Sequence, residues 1–131
     1  MNEPKRILYV EDEPDIRAIA EISLEIVGGF TVTSCASGKE ALAAAARAQP
    51  DLLLLDMMMP GMDGLSTLQA LRDQPATAAT PVIFMTAKVQ AAEIDTYKAA
   101  GALDVISKPF DPMALPELIR AIWSRGAAQP A

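Results

Sequence analysis

The chain has 131 residues, 51% of them hydrophobic, which suits one domain around one core and argues against disorder. Its formal charge of −6 lacks the basic face that direct nucleic-acid binding needs, and the absence of histidine removes Ser-His-Asp catalysis, histidine metal ligation and phosphohistidine chemistry from within the chain. Cys35 is the only cysteine, no apolar run nears the ~20 residues of a membrane span, and Met1 to Arg6 is too polar for a signal peptide; together these favour a cytoplasmic protein.

Lys5 to Val10 (KRILYV) reads as a first strand ending in Glu11, Asp12 and Glu13. Pro14 suits a first helical turn, and a helix is expected from about Asp15 to Val27, stopped by Gly28 and Gly29. On a helical wheel Ile16, Ala20, Leu24 and Val27 form its core stripe, with Ile19 and Ser23 beside it. Ile22 falls opposite and Ile26 at the margin. Phe30 to Ser34 is the second strand, and Ser37 with Glu40 is a capping box opening a small-residue helix that runs to Ala48. Leu52 to Leu55 has no polar break and ends in Asp56, as in a strand buried on both faces. A third helix is expected at Leu65 to Arg72, then a loop around Pro75. A fourth strand spans Pro81 to Met85 and ends at Thr86, and a helix covers Val89 to Ala100. Leu103 to Ile106 is a fifth strand ending at Ser107, Lys108 and Pro109. The last helix reaches Trp123 and begins either at Asp111-Pro112 or at Pro116. Residues 126–131 read as a short tail, and the core as about 5–125 of a single domain.

Alternating strands and helices with short loops give an α/β fold: (βα)5, a doubly wound five-stranded parallel sheet. In a flavodoxin-like order 2-1-3-4-5, which the spacing does not itself prove, Glu11, Asp12, Asp56, Thr86 and Lys108 gather at the carboxyl edge, where ligands sit in open α/β sheets. Two carboxylates about 4 Å apart repel by roughly 4 kcal/mol at an effective dielectric of ~20, so the cluster needs a cation or raised pKa values. Oxygen ligands without His or thiolate select a hard ion such as Mg²⁺ or Mn²⁺, which shares itself readily with phosphate oxygens.

The residues that now stand together are Glu11-Asp12, Asp56 followed three residues on by Met-Pro-Gly-Met-Asp-Gly, Thr86-Ala87, and Lys108-Pro109-Phe110. Each alone is ordinary: Asp starts turns, acids favour helix N-termini, Thr is common in strands. Together, in this order, they resemble the receiver domain of two-component response regulators, of the chemotaxis-type stand-alone kind. The resemblance covers essentially the whole chain. It implies that Asp56 accepts a phosphoryl group from the phosphohistidine of a histidine kinase or histidine phosphotransfer protein. It implies that Asp12 binds Mg²⁺ directly, Glu11 through water, and Met58 by its backbone carbonyl. Lys108 and Thr86 are implied to bind phosphoryl oxygens, with a shift of Thr86 re-setting a surface read by a downstream protein. The chain would then be a phosphoacceptor that assists its own phosphorylation and dephosphorylation, rather than an enzyme.

Three positions depart from or tune this pattern. Similar proteins carry Tyr or Phe where this chain has Val105, so the aromatic half of the usual switch is missing. Met58 and Lys88 occupy the positions that tune hydrolysis of the acyl phosphate, and Met58 can neither position nor activate water, which predicts slow self-dephosphorylation. Alternatives are a non-switching scaffold of the same fold, a phosphoryl shuttle in a phosphorelay, and a metal-dependent phosphatase. The last usually has a second acid where Met58 stands. A nucleotide-binding module would need a Gly-rich loop after the first strand, and there is none. The sequence leaves open the kinase, the target and whether a homodimer forms.

Overall fold

The computed structural model describes residues 3–87 and 90–126. Lys88, the expected helix start at Val89 and the tail beyond Gly126 lie outside the described residues. Five strands, β1 (Arg6–Val10), β2 (Thr31–Cys35), β3 (Leu52–Asp56), β4 (Val82–Thr86) and β5 (Ala102–Ser107), form one sheet in the order β2-β1-β3-β4-β5. Every neighbouring pair is parallel. The helices are α1 (Pro14–Ile22), α2 (Gly38–Ala48), α3 (Gly64–Arg72), α4 (Ala91–Ala99) and α5 (Leu115–Arg125). The expected α/β fold and strand order are therefore present.

The central strands bury both faces, and this splits the core into two layers. Leu8, Val10, Leu53, Leu55, Val82 and Phe84 face α2, α3 and α4, meeting Ala41, Ala45, Leu68, Leu71 and Tyr97. Ile7, Tyr9, Leu52, Leu54, Ile83 and Met85 face α1 and α5, meeting Ala20, Leu24, Leu115, Ile119 and Ile122. All four leucines of β3 are fully buried, because alternate residues point into opposite layers and both layers are apolar. Met57 and Met59 join the first layer and Phe110 packs against the second, as core filler.

Local signals set the element ends. Ser37 Oγ accepts the N–H of Glu40 at 3.1 Å, and the Glu40 carboxylate accepts the N–H of Ala36 at 2.8 Å, one residue before the cap. Asp63 caps α3 through the N–H of Ser66 at 2.8 Å. Of the two expected starts for the last helix, the later one holds: α5 begins at Leu115 with Pro116 in its first turn. Asp111 instead makes the preceding turn, its carboxylate accepting from Met113 N–H at 2.9 Å.

The helix expected to run unbroken to Val27 does not. The α-helix ends at Ile22, and Ser23–Val27 forms a π-helical turn in which Gly28 N–H reaches the Ser23 carbonyl at 3.0 Å. The wider turn changes the phase of the side chains after it, so Val27, expected in the core stripe, is exposed; Ser23, expected beside that stripe, is buried. Ile16 is half-buried, and Ile22 and Ile26 are exposed at 61% and 78%. Gly28 lies so close to α5 that an added Cβ would stand 2.9 Å from the Pro116 Cβ.

Candidate functional site

Asp56 is the last residue of β3, one register step beyond the apolar run, and its backbone is paired with Met85 of β4. Its carboxyl therefore leaves a rigid central strand at the carboxyl edge of the sheet. Glu11 follows β1 directly; its N–H is held by the Cys35 carbonyl at 3.0 Å, and its carbonyl accepts from Arg17 Nη1 at 2.8 Å. Lys108 follows β5, its N–H bonded to the Thr86 carbonyl at 3.0 Å. Strand pairing thus delivers residues distant in sequence to one place.

Lys108 Nζ stands 3.1 Å from Asp56 Oδ1 and 3.1 Å from Glu11 Oε1. Glu11 and Asp56 are fully buried and Asp12 is half-buried. One carboxylate oxygen of each acid lies within 4.8 Å of the others. At that separation each like-charge pair repels by roughly 3–4 kcal/mol at an effective dielectric of ~20. A single ammonium cannot offset three carboxylates.

The electrostatics follow. Burial pushes the Asp56 carboxyl up to about 7, the Lys108 hydrogen bond opposes this, and the charge of Glu11 adds to it. Burial alone would lower the Lys108 ammonium, but hydrogen bonds and charge from Asp56 and Glu11 outweigh it and hold the group above its ordinary range. Burial, then the charges of Glu11 and Asp56, also push up the Tyr9 phenol. Burial pushes the Cys35 thiol up to about 11, as befits a small inert core residue.

These residues fit a hard divalent cation. Three carboxylates converge, and Asp56 Oδ2 is buried with no hydrogen-bond partner among the described residues. An orphaned carboxylate oxygen at a charge-crowded mouth is a ligand position for a cation.

Around this centre lies a cleft of about 320 Å³ lined by Glu13, Ile16, Asp56, Met58, Ala87, Lys108 and Pro109. Met58 is 63% exposed there, and its N–H approaches Asp56 Oδ1 at 3.4 Å. Of the residues singled out in the sequence, Glu11, Asp12, Asp56 and Lys108 come together and Met58 borders them. Thr86 is buried at the end of β4, where it pairs with Ser107. Val105 does not reach the cleft; it is half-buried against the first core layer, opposite Phe84. Arg17 and Glu13 were not foreseen. A cation six residues after Glu11, amid five acids, was the available signal for Arg17. A larger hollow of about 720 Å³ at the opposite edge of the sheet has a different chemistry. Its Arg120 is engaged by Glu3 at 2.7 Å and stacks on Phe30 at 4.6 Å.

The chain is similar to known proteins in sequence and fold. Residues 7–120 match the family described as the response regulator receiver domain. The transcriptional regulatory protein CseB of Streptomyces avermitilis is 38% identical over 125 residues, covering 95% of this chain and 52% of that protein. The DNA-binding response regulator MtrA of Mycolicibacterium smegmatis is 35% identical over 127 residues, covering 97% of this chain and 54% of that protein. The chain thus spans about half the length of these curated relatives. The chemotaxis protein CheY4 of Vibrio cholerae superposes with a TM-score of 0.83 at 31% identity, covering 92% of this chain and 99% of that one. With the sheet order, the acid cluster and the lysine that bridges it all in place, this chain belongs to the response regulator receiver domain family.

Proposed function

We propose that this chain is a phosphorylation-controlled switch of a two-component system, with Asp56 as phosphoacceptor. The observation that carries the reading is the setting of Asp56: buried, at the strand edge, one oxygen on Lys108 and the other unpartnered, beside two further acids. A carboxylate so held is a directed nucleophile. An Asp56 oxygen attacks the phosphorus of a phosphohistidine, the P–N bond breaks, and the imidazole nitrogen keeps the electron pair and takes up a proton. Lys108 would then bind a phosphoryl oxygen as its pairing with Asp56 is released, and Thr86 another.

Glu11, Asp12, Asp56 and the Met58 carbonyl would hold Mg²⁺ or Mn²⁺. Once bound, the ion neutralises charge on the carboxylates and on the transferring phosphoryl group. Residues 1–131 contain no histidine, so the donor imidazole lies outside them, on a histidine kinase or histidine phosphotransfer protein. The exposed isoleucines of the first helical segment, Ile19, Ile22 and Ile26, start at Ile19, which shares a small groove with Ile16 and Lys108, and they support docking of such a donor. On this reading the chain assists its own phosphorylation and dephosphorylation and turns over no external substrate. Its output is a changed protein–protein surface. Among the described residues no helix is long and apolar enough to cross a membrane.

Intact mass after treatment with acetyl phosphate and Mg²⁺ tests the proposal. The expected result is one added phosphoryl group, lost in Asp56→Asn or with chelator. No mass gain in the natural chain overturns it and leaves the scaffold reading, which Val105 favours. Steady turnover of an external phosphate ester would indicate a phosphatase instead.

A further inference from the structure

Ser23 sits in the first position of the π-helical turn and is 1% exposed, whereas Ile22 and Ile26 on either side of it are exposed. A π-turn carries one residue more than an α-turn and re-aims side chains; such insertions often mark functional places. Here it turns a hydroxyl inward, where Ser23 Oγ donates to the backbone carbonyl of Pro112, 89 residues away. Pro112 closes the segment that begins at Lys108. That segment is tied at its other end by Lys108 N–H on the Thr86 carbonyl. A second contact reinforces the first: Gly28, at the end of the same turn, packs so closely on Pro116 that no Cβ fits. Between the tie points, Pro109, Phe110 and Pro112 form one wall of a small apolar groove, with Ile16 and Ile19 opposite and Lys108 at its end.

We infer that Ser23 is a positioning residue for Lys108: its buried hydroxyl fastens the β5–α5 loop to the π-turn and so presents Nζ to Asp56 and Glu11. Lys108 has a long flexible side chain with several rotatable bonds, and its charge sits 3.1 Å from two acceptors only if its backbone is fixed. The loop has three prolines or aromatics in five residues but few backbone hydrogen bonds of its own, so an external tie has something to fix. The apolar side that supports donor docking belongs to the same helical segment. A donor pressing on Ile19 and Ile22 would therefore act through Ser23 on the loop that carries the catalytic lysine.

This inference rests on the phosphoacceptor reading for its purpose but not for its test. The primary readout is acylation of lysines by an amine-selective ester, resolved by peptide mass. In the natural protein Lys108 should label far more slowly than exposed Lys39, since it is ion-paired and largely buried. In Ser23→Ala the Lys108 to Lys39 ratio should rise about fivefold, equivalent to the roughly 1 kcal/mol net worth of one intramolecular hydrogen bond. Ser23→Thr, which keeps the hydroxyl, should hold the ratio near the natural value. Phosphoryl uptake from acetyl phosphate should fall about fivefold in Ser23→Ala, with Mg²⁺ affinity within twofold of the natural protein. An unchanged labelling ratio, a rise shared by all lysines, or a fall in Mg²⁺ affinity matching the fall in uptake overturns the inference. If the natural protein takes up no phosphoryl group, the proposed function fails while the labelling ratio still decides the role of Ser23.

Discussion

Replacing Asp56 by asparagine should stabilise the metal-free protein above neutral pH while abolishing phosphoryl uptake. The displacement of its carboxyl from 3.8 to about 7 corresponds, at 1.36 kcal/mol per pH unit, to about 4 kcal/mol of cost for holding the ionised form in the fold. The sign follows from proton binding. The folded state keeps a proton that the unfolded state releases, so stability falls as pH rises from about 4 to about 7 and the full cost applies above that window. Asparagine removes the charge but leaves Glu11 with Lys108, so about half of the ceiling, roughly 2 kcal/mol, is the expected gain. At about 2.1 cal/mol/K per residue of unfolding entropy, a 131-residue chain turns this into a rise of about 7 °C in the thermal midpoint. Circular dichroism melts with chelator, near pH 8 and near pH 4, measure it. The variant should melt higher at the alkaline value and level with the natural protein at the acid one, and Mg²⁺ should narrow the alkaline gap by stabilising the natural chain. Equal midpoints at both pH values, or a variant that melts lower near pH 8, would refute the account of Asp56 as a crowded, desolvated carboxylate.

Met58→Asn should shorten the life of the acyl phosphate, because an amide two residues after Asp56 can orient water where an exposed thioether cannot; phosphate release from the phosphorylated protein measures it. Gly64→Ala should destabilise by about 1–3 kcal/mol and slow phosphoryl uptake. An added Cβ would stand 2.8 Å from the Asp56 carbonyl oxygen and 2.9 Å from the Met57 Cα, so backbone beside the acceptor must move; chemical denaturation gives the cost. Ile26→Lys, at 78% exposure, should change stability by less than about 0.5 kcal/mol. The same substitution should slow transfer from a histidine donor protein and leave uptake from acetyl phosphate unchanged, as two parallel time courses would show.

Much of this arrangement is legible in the residues alone, for identifiable reasons. Leu52 to Leu55 announce a doubly buried strand because only a central parallel strand takes an unbroken apolar run of that length between turns. Once β3 is placed, Asp56 must sit at its carboxyl edge. The partners of Asp56 follow from where the other strands end, but only if the strand order is supplied, and the spacing of the elements does not supply it. The π-turn escaped notice because a wheel assumes 3.6 residues per turn; one inserted residue moved Val27 outward. The depth of the site was equally silent. Nothing in Glu11-Asp12 says that the first acid is wholly buried and the second half-buried; that is set by tertiary packing, in which Cys35 and Arg17 hold the Glu11 backbone. Val105 could be named as a departure, yet its packing against the layer that includes Phe84 and Tyr97 is a tertiary fact.

The ion pairs of Lys108 join positions 97 and 52 residues apart. Contacts so remote along the chain close large loops, and a sheet whose every pairing is parallel contains no quick local hairpin on which to nucleate. β1, β3 and β5 must all be docked before the three side chains meet. Any opening that undocks one of these three strands dissolves the charge cluster, so an ion bound there opposes every such opening, and global unfolding with it, by its binding term rather than merely quieting a loop.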